Sequence, residues 1–176
     1  MRLFIAIDIP KEIKDKLYDL QKQIGGDLAK INWVHKKNLH LTLKFLGEVP
    51  ESRLEEIKER LRIIKLKSFE VELNNLGVFP NENNIRVIWV DLKSEHIYEL
   101  QIKIDQELLD LFSKDTRFQS HLTLGRVKFV KNKEELKEKL KLKIDGWFIV
   151  KEFKLIKSSL TREGPIYETI EEYKLE

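Results

Sequence analysis

The 176-residue chain contains no cysteine, one methionine, four prolines and seven glycines. Without cysteine there is no disulfide, no thiol nucleophile and no thiolate-bound metal. No stretch approaches the roughly 18 consecutive apolar residues that a membrane-spanning helix needs. The first residues lack the small-residue cleavage pattern of a secretory signal, so a soluble, cytoplasmic protein is expected. Neither sign of charge is in large excess. The 33 Lys and Arg against 30 Asp and Glu leave a net charge of +3, and a pI near 8.9 permits an anionic partner without demanding one. Charged residues make up 36% of the chain, which fits either a thermophile-like surface or ordinary solvated helix faces. No linker, low-complexity segment or tail is visible, and the length suits a single domain with a sizeable core.

Histidine and threonine are scarce too, with four and five copies, and their placement is the informative feature. His40-Leu41-Thr42-Leu43 recurs as His121-Leu122-Thr123-Leu124. Random shuffling would put Thr two positions after two different His in roughly 0.5% of chains, before counting the shared leucines. Both strings lie in alternating apolar runs that read as β-strands, where His and Thr at i and i+2 share a face and the leucines pack behind them.

A longer duplication surrounds the two strings. Glu55-Glu56-Ile57-Lys58-Glu59-Arg60-Leu61 matches Glu134-Glu135-Leu136-Lys137-Glu138-Lys139-Leu140 by residue type at every position, and the strand Arg2–Asp8 resembles Arg86–Asp91. Charged amphipathic helices resemble one another in any Lys/Glu-rich chain. The shared order of strand, helix, motif strand and helix argues instead for two related halves inside one domain spanning 1–176. Periodicity gives strands at 2–8, 38–46, 69–74, 85–92, 120–130, 147–157 and 166–174. It gives helices from Lys11, ended by Gly25-Gly26, from about Ser52, from about Ser94 and over 133–142. Hairpins together with helical crossovers mean an α+β fold with helices on the outer faces.

Two His-x-Thr strands facing each other across a cleft suit transfer at phosphorus. Histidine titrates near neutrality, so one imidazole can take a proton from the attacking oxygen while the other gives one to the departing oxygen. Attack and departure lie in line on opposite sides of phosphorus, and the threonine hydroxyls can donate to its non-bridging oxygens. A lone His on a strand is more often structural, and His35 and His96, which lack this context, are assigned structural or surface roles. A metal site on His40 and His121 would need a third ligand, yet the +2 position is Thr in both strings. No metal or cofactor is expected.

These residues resemble the 2H phosphoesterase superfamily, and within it the RNA 2′,3′-cyclic phosphodiesterases, historically called 2′-5′ RNA ligases. The resemblance covers nearly the whole chain. It rests on Arg2-Leu3-Phe4-Ile5-Ala6-Ile7, on His40 to Gly47, on Gly77-Val78-Phe79-Pro80, on Phe118 to Arg126, and on Ser158-Ser159-Leu160 before Gly164-Pro165-Ile166-Tyr167. A proline often precedes the second motif in that branch; here the residue is Ser120. The resemblance implies a bilobal fold of two pseudo-symmetric antiparallel sheets lining a central cleft. It implies hydrolysis of an RNA terminal 2′,3′-cyclic phosphate to a 2′-phosphate, with His40 as proton donor and His121 as proton acceptor. Thr42, Thr123 and Arg126 would bind the phosphate, and Phe45 and Trp33 are candidates to stack on the terminal base. The expected partner is an RNA end acted on by a monomer, away from membranes. A 2′-5′ ligase joining a cyclic phosphate to a 5′-hydroxyl, and a non-catalytic RNA-end-binding module, remain alternatives at this stage.

Overall fold

The computed structural model describes residues 1–176. Nine strands and four helices follow in the order β1 (Arg2–Asp8), α1 (Lys11–Ile24), β2 (Ala29–Trp33), β3 (His40–Glu48), α2 (Leu54–Arg62), β4 (Phe69–Asn81), β5 (Asn84–Lys93), α3 (Glu95–Glu107), β6 (His121–Val130), α4 (Lys133–Lys139), β7 (Trp147–Val150), β8 (Glu152–Thr161) and β9 (Gly164–Lys174). The strands form two antiparallel sheets, one of four strands in the order β3-β1-β8-β9 and one of five in the order β2-β6-β5-β4-β7. This is an α+β fold, and each sheet receives one of the two motif strands. No helix is long and apolar enough to cross a membrane.

Helices cover the apolar faces of the strands for the reason the sequence suggests. In α1, Pro10 supplies the pre-set φ just before the first turn, and Ile13, Leu17, Leu20 and Ile24 fall on one buried stripe. Ile57 and Leu61 of α2, and Ile97, Leu100 and Ile104 of α3, do the same. All join a single apolar cluster with Leu41, Leu43, Leu122 and Leu124 of the motif strands. Buried Gln21 on α1 belongs to this interface: its amide donates to the carbonyls of Val34 and Leu124, both at 2.9 Å, and so fastens the helix to β6.

Three features departed from the sequence expectation. The apolar run 147–157 is split at Lys151, so that β7 ends the five-stranded sheet while β8 sits inside the four-stranded one. The short strand β2 was not foreseen, because five residues with Lys30 and Asn32 among them carry little pattern. The third feature is irregular pairing. Where β3 pairs with β1, Ala6 is opposite Thr42 and Ile5 is opposite Lys44, leaving Leu43 without a partner. Where β6 pairs with β5, Trp89 is opposite Thr123 and Ile88 is opposite Gly125, leaving Leu124 without one. Each bulge shifts the following residues by one face.

The first bulge turns Lys44 into the core. Its ammonium is 4% exposed and pairs with the 2% exposed carboxylate of Asp105 on α3. The same ammonium donates to the Ser113 carbonyl at 2.8 Å, while Asp105 also accepts from Gln101 and from the Asp115 backbone N–H. The pair therefore ties the first motif strand to α3 and to the segment leading into the second motif strand. Removing one partner leaves a buried charge alone, which costs about 3–5 kcal/mol. Lys44→Ala should lose that much stability in urea unfolding, and the double change Lys44→Met with Asp105→Leu should lose less. A loss below about 1 kcal/mol for Lys44→Ala would contradict this account.

Candidate active site

The two histidines are held in the same way. His40 Nδ1 lies 2.6 Å from the Asn38 carbonyl oxygen, and His121 Nδ1 lies 2.8 Å from the Gln119 carbonyl oxygen. A carbonyl only accepts, so each Nδ1 carries the hydrogen and each Nε2 is left for chemistry. His40 Nε2 meets the Thr42 hydroxyl at 2.9 Å. Across the strands, His40 stands opposite Asp8 and His121 opposite Asp91, each an acid at or near the end of the neighbouring strand. Asp8 is paired with Lys14 at 2.8 Å, and Asp91 accepts from the Asn74 amide at 2.9 Å.

The motif strands β3 and β6 contact each other although they belong to different sheets. His121 is close enough to His40 that a charge on it disfavours charge on His40. Burial is the larger influence and pushes the His40 imidazole below its ordinary value of 6.5; the Asn38 carbonyl and Asp8 oppose that shift. Aromatic rings surround both imidazoles. Tyr167 stands edge-on to His40 with centroids 5.3 Å apart, and Phe4 lies at 5.0 Å. Phe79 stands edge-on to His121 at 5.1 Å, and Trp89 lies at 5.9 Å. Trp89 in turn stacks on Phe79 and lies flat over Gly77, where an added Cβ would come 2.3 Å from its ring. Tyr167 lies on β9, at the opposite edge of its sheet from β3. Its contact with His40 therefore requires that sheet to curl strongly, and the Asn38 amide closes the curl by donating to the Pro165 carbonyl at 3.1 Å.

The bulges decide which other candidates share this face. Beyond its bulge, β6 presents Arg126 to solvent beside Thr123, with Gly125 and Val127 turned inward. Beyond its own bulge, β3 presents Phe45, 69% exposed, at the corresponding place, with its ring 6.1 Å from Phe4. Arg126 lies near enough to the Tyr167 phenol, as does Arg2, to pull against the upward push of burial on that group. Trp33 is the exception. It packs against the core on the helix side, over Gly125, where an added Cβ would stand 2.7 Å from its ring, and near Gly25 at the end of α1. The structure thus brings His40, Thr42, Phe45, His121, Thr123 and Arg126 to the cleft face and leaves Trp33 outside it. His35 and His96 lie elsewhere: His35 precedes a 3-10 turn over Lys36–Asn38, and His96 sits beside Glu99. Sequence reasoning missed Phe4, Phe79, Trp89 and Tyr167 as neighbours of the histidines, although the short Gly77–Pro80 and Gly164–Tyr167 strings mark two of them. No three His, Asp or Glu side chains lie close enough together to hold a metal ion.

Comparison with known proteins finds relatives in both sequence and fold. A family model described as LigT-like phosphoesterase matches residues 7–89 and again 90–167. A Methanocaldococcus jannaschii protein named RNA 2′,3′-cyclic phosphodiesterase is 44% identical over 98% of this chain and 100% of its own length. A crystal structure of a Thermus thermophilus protein superposes with a TM-score of 0.85 at 28% identity, covering 99% of this chain and 97% of that one. The structure of E. coli LigT complexed with 3′-AMP superposes with a TM-score of 0.79 at 25% identity, covering 99% and 96%.

The sign of the His40 shift gives a stability test. The fold favours neutral imidazole, while the unfolded chain takes up a proton near 6.5. The associated stability is therefore complete above 6.5 and is lost as pH falls below it toward the depressed folded value. Between pH 7.5 and pH 5.5, the wild type should lose more urea-unfolding stability than His40→Gln. Parallel pH dependences for the two proteins would show that His40 carries no such penalty.

Proposed function

Since the chain belongs to the LigT-like phosphoesterase family, we propose that it opens the terminal 2′,3′-cyclic phosphate of RNA with water, leaving a 2′-phosphate. The supporting observation is the pair of imidazoles, each with Nδ1 fixed on a main-chain carbonyl and Nε2 turned away from it, His40 Nε2 toward the Thr42 hydroxyl, on two strands in contact. His121 takes a proton from water as its oxygen bonds to phosphorus. The P–O3′ bond breaks on the opposite side, and His40 delivers a proton to the departing O3′. Thr42, Thr123 and Arg126 hold the non-bridging oxygens, where negative charge gathers. Phe45, exposed beside Thr42, offers a face to the terminal base.

Burial of His40 bears on the timing of the proton. The ring alone resists charge, and a bound phosphate anion favours its protonation, so substrate and proton enter the site together. In this reading the halves descend from one repeat, as suggested by the double family match and the His40–Asp8 and His121–Asp91 registers. All the groups named come from one chain, which suits a monomer, and we place it in the cytoplasm.

His40→Ala and His121→Ala should each lower kcat by about 10²–10⁴ on a cyclic-phosphate oligonucleotide. Product mapping should show a 2′-phosphate. The reaction should continue in EDTA and follow a bell-shaped pH profile whose limbs belong to the histidine pair. Retention of more than a third of kcat in either variant, or loss in EDTA with rescue by a divalent ion, would refute the mechanism.

A further inference from the structure

The cleft face of the five-stranded sheet continues well past Arg126. Asn32 on β2 stands directly opposite Arg126, and a second irregularity pairs Lys30 with Phe129 while leaving Lys128 as the extra residue. Lys30 and Asn32 are exposed and alternate with Ile31 and Trp33, which pack toward the helices. They therefore lie on the same face as His121, Thr123 and Arg126. Lys128 is exposed, and Phe129 is 49% exposed beside it. Lys30, Arg126, Lys128 and Lys131 take part in no ion pair, so their charges are free to meet phosphates.

Lysine on an edge strand such as β2 commonly serves only to block edge pairing. That role does not account for an exposed phenylalanine directly opposite Lys30, which works against such protection. Free cations alternating with an aromatic face are what a single-stranded nucleic acid needs, phosphates on the charges and a base on the ring. The strip from His121 to Phe129 is about 25 Å long at strand spacing, on the scale of the shortest single-strand sites of about four nucleotides. We propose that Lys30, Lys128 and Phe129 form the binding strip for the RNA body that precedes the terminal nucleotide. The assignment rests on the cyclic-phosphodiesterase reading and makes an oligonucleotide, not a cyclic mononucleotide, the preferred substrate.

Binding by fluorescence anisotropy of a labelled hexanucleotide ending in a 2′-phosphate is the direct test, alongside turnover of a 2′,3′-cyclic mononucleotide. The wild type should bind the hexamer about tenfold or more tighter than the mononucleotide product. Lys30→Gln with Lys128→Gln should weaken hexamer binding about tenfold and flatten the salt slope by about 1.4, two single-strand phosphate contacts. Phe129→Ala should weaken it by a similar factor. Mononucleotide turnover should stay within about twofold of wild type in both, which also reports an intact fold. Equal affinity of the wild type for hexamer and mononucleotide, or wild-type hexamer affinity in the variants, would overturn the assignment. So would a parallel loss of mononucleotide turnover, since it would place these residues at the reacting centre. If the wild type opened no cyclic phosphate at all, the phosphodiesterase reading would fall while the binding measurements still judged the strip.

Discussion

Each motif string accommodates a residue that the neighbouring strand does not match, Leu43 in β3 and Leu124 in β6, and the arrangement of the cleft depends on it. Strict alternation would put Phe45 and Arg126 on the apolar side and Lys44 in solvent. The extra residue reverses that from Lys44 and Gly125 onward. His40, Thr42 and Phe45 then share one face, as do His121, Thr123 and Arg126, and Lys44 is forced inward to meet Asp105. A buried ion pair of this kind is weak evidence for net stability. Its use here is geometric, because it holds the first motif strand against the segment from which the second one starts.

The equivalence of the two half-sites is closest at the backbone and loosest at the ends of the motifs. Both histidines use the same main-chain clamp and face an acid on the next strand. Their aromatic neighbours differ: Tyr167 reaches His40 only because its sheet curls, whereas Trp89 reaches His121 from the neighbouring strand β5 and Phe79 from β4, one strand further along the same sheet. One half offers Phe45 where the other offers Arg126. Such asymmetry fits a reaction whose two sides differ, with a nucleoside on the leaving side and water on the other.

Local patterning made much of this legible. The alternation around His40 and His121 and the apolar stripe of α1 follow directly from side-chain spacing. What depends on pairing between distant strands did not show. A bulge is a mismatch between two strands, so no property of Leu43 or Leu124 alone announces it. The burial of Lys44 and the outward turn of Arg126 were hidden with it. Trp33 could stand as a candidate base platform because nothing in its own strand reveals that Gly125, on another strand, leaves the space its ring fills. Tyr167 was obscured for a similar reason, since sheet curl is a property of four strands together.

The clamp on the histidines has a consequence for how the site tolerates sequence drift. Asn38 and Gln119 hold the imidazoles through their carbonyl oxygens, which every amino acid possesses. No point substitution at either position deletes the acceptor; only a change in backbone path can do so. Ring orientation is therefore encoded in the chain trace and buffered against single mutations. The groups on the open face, such as Phe45 and Arg126, act through side chains and lack that insurance.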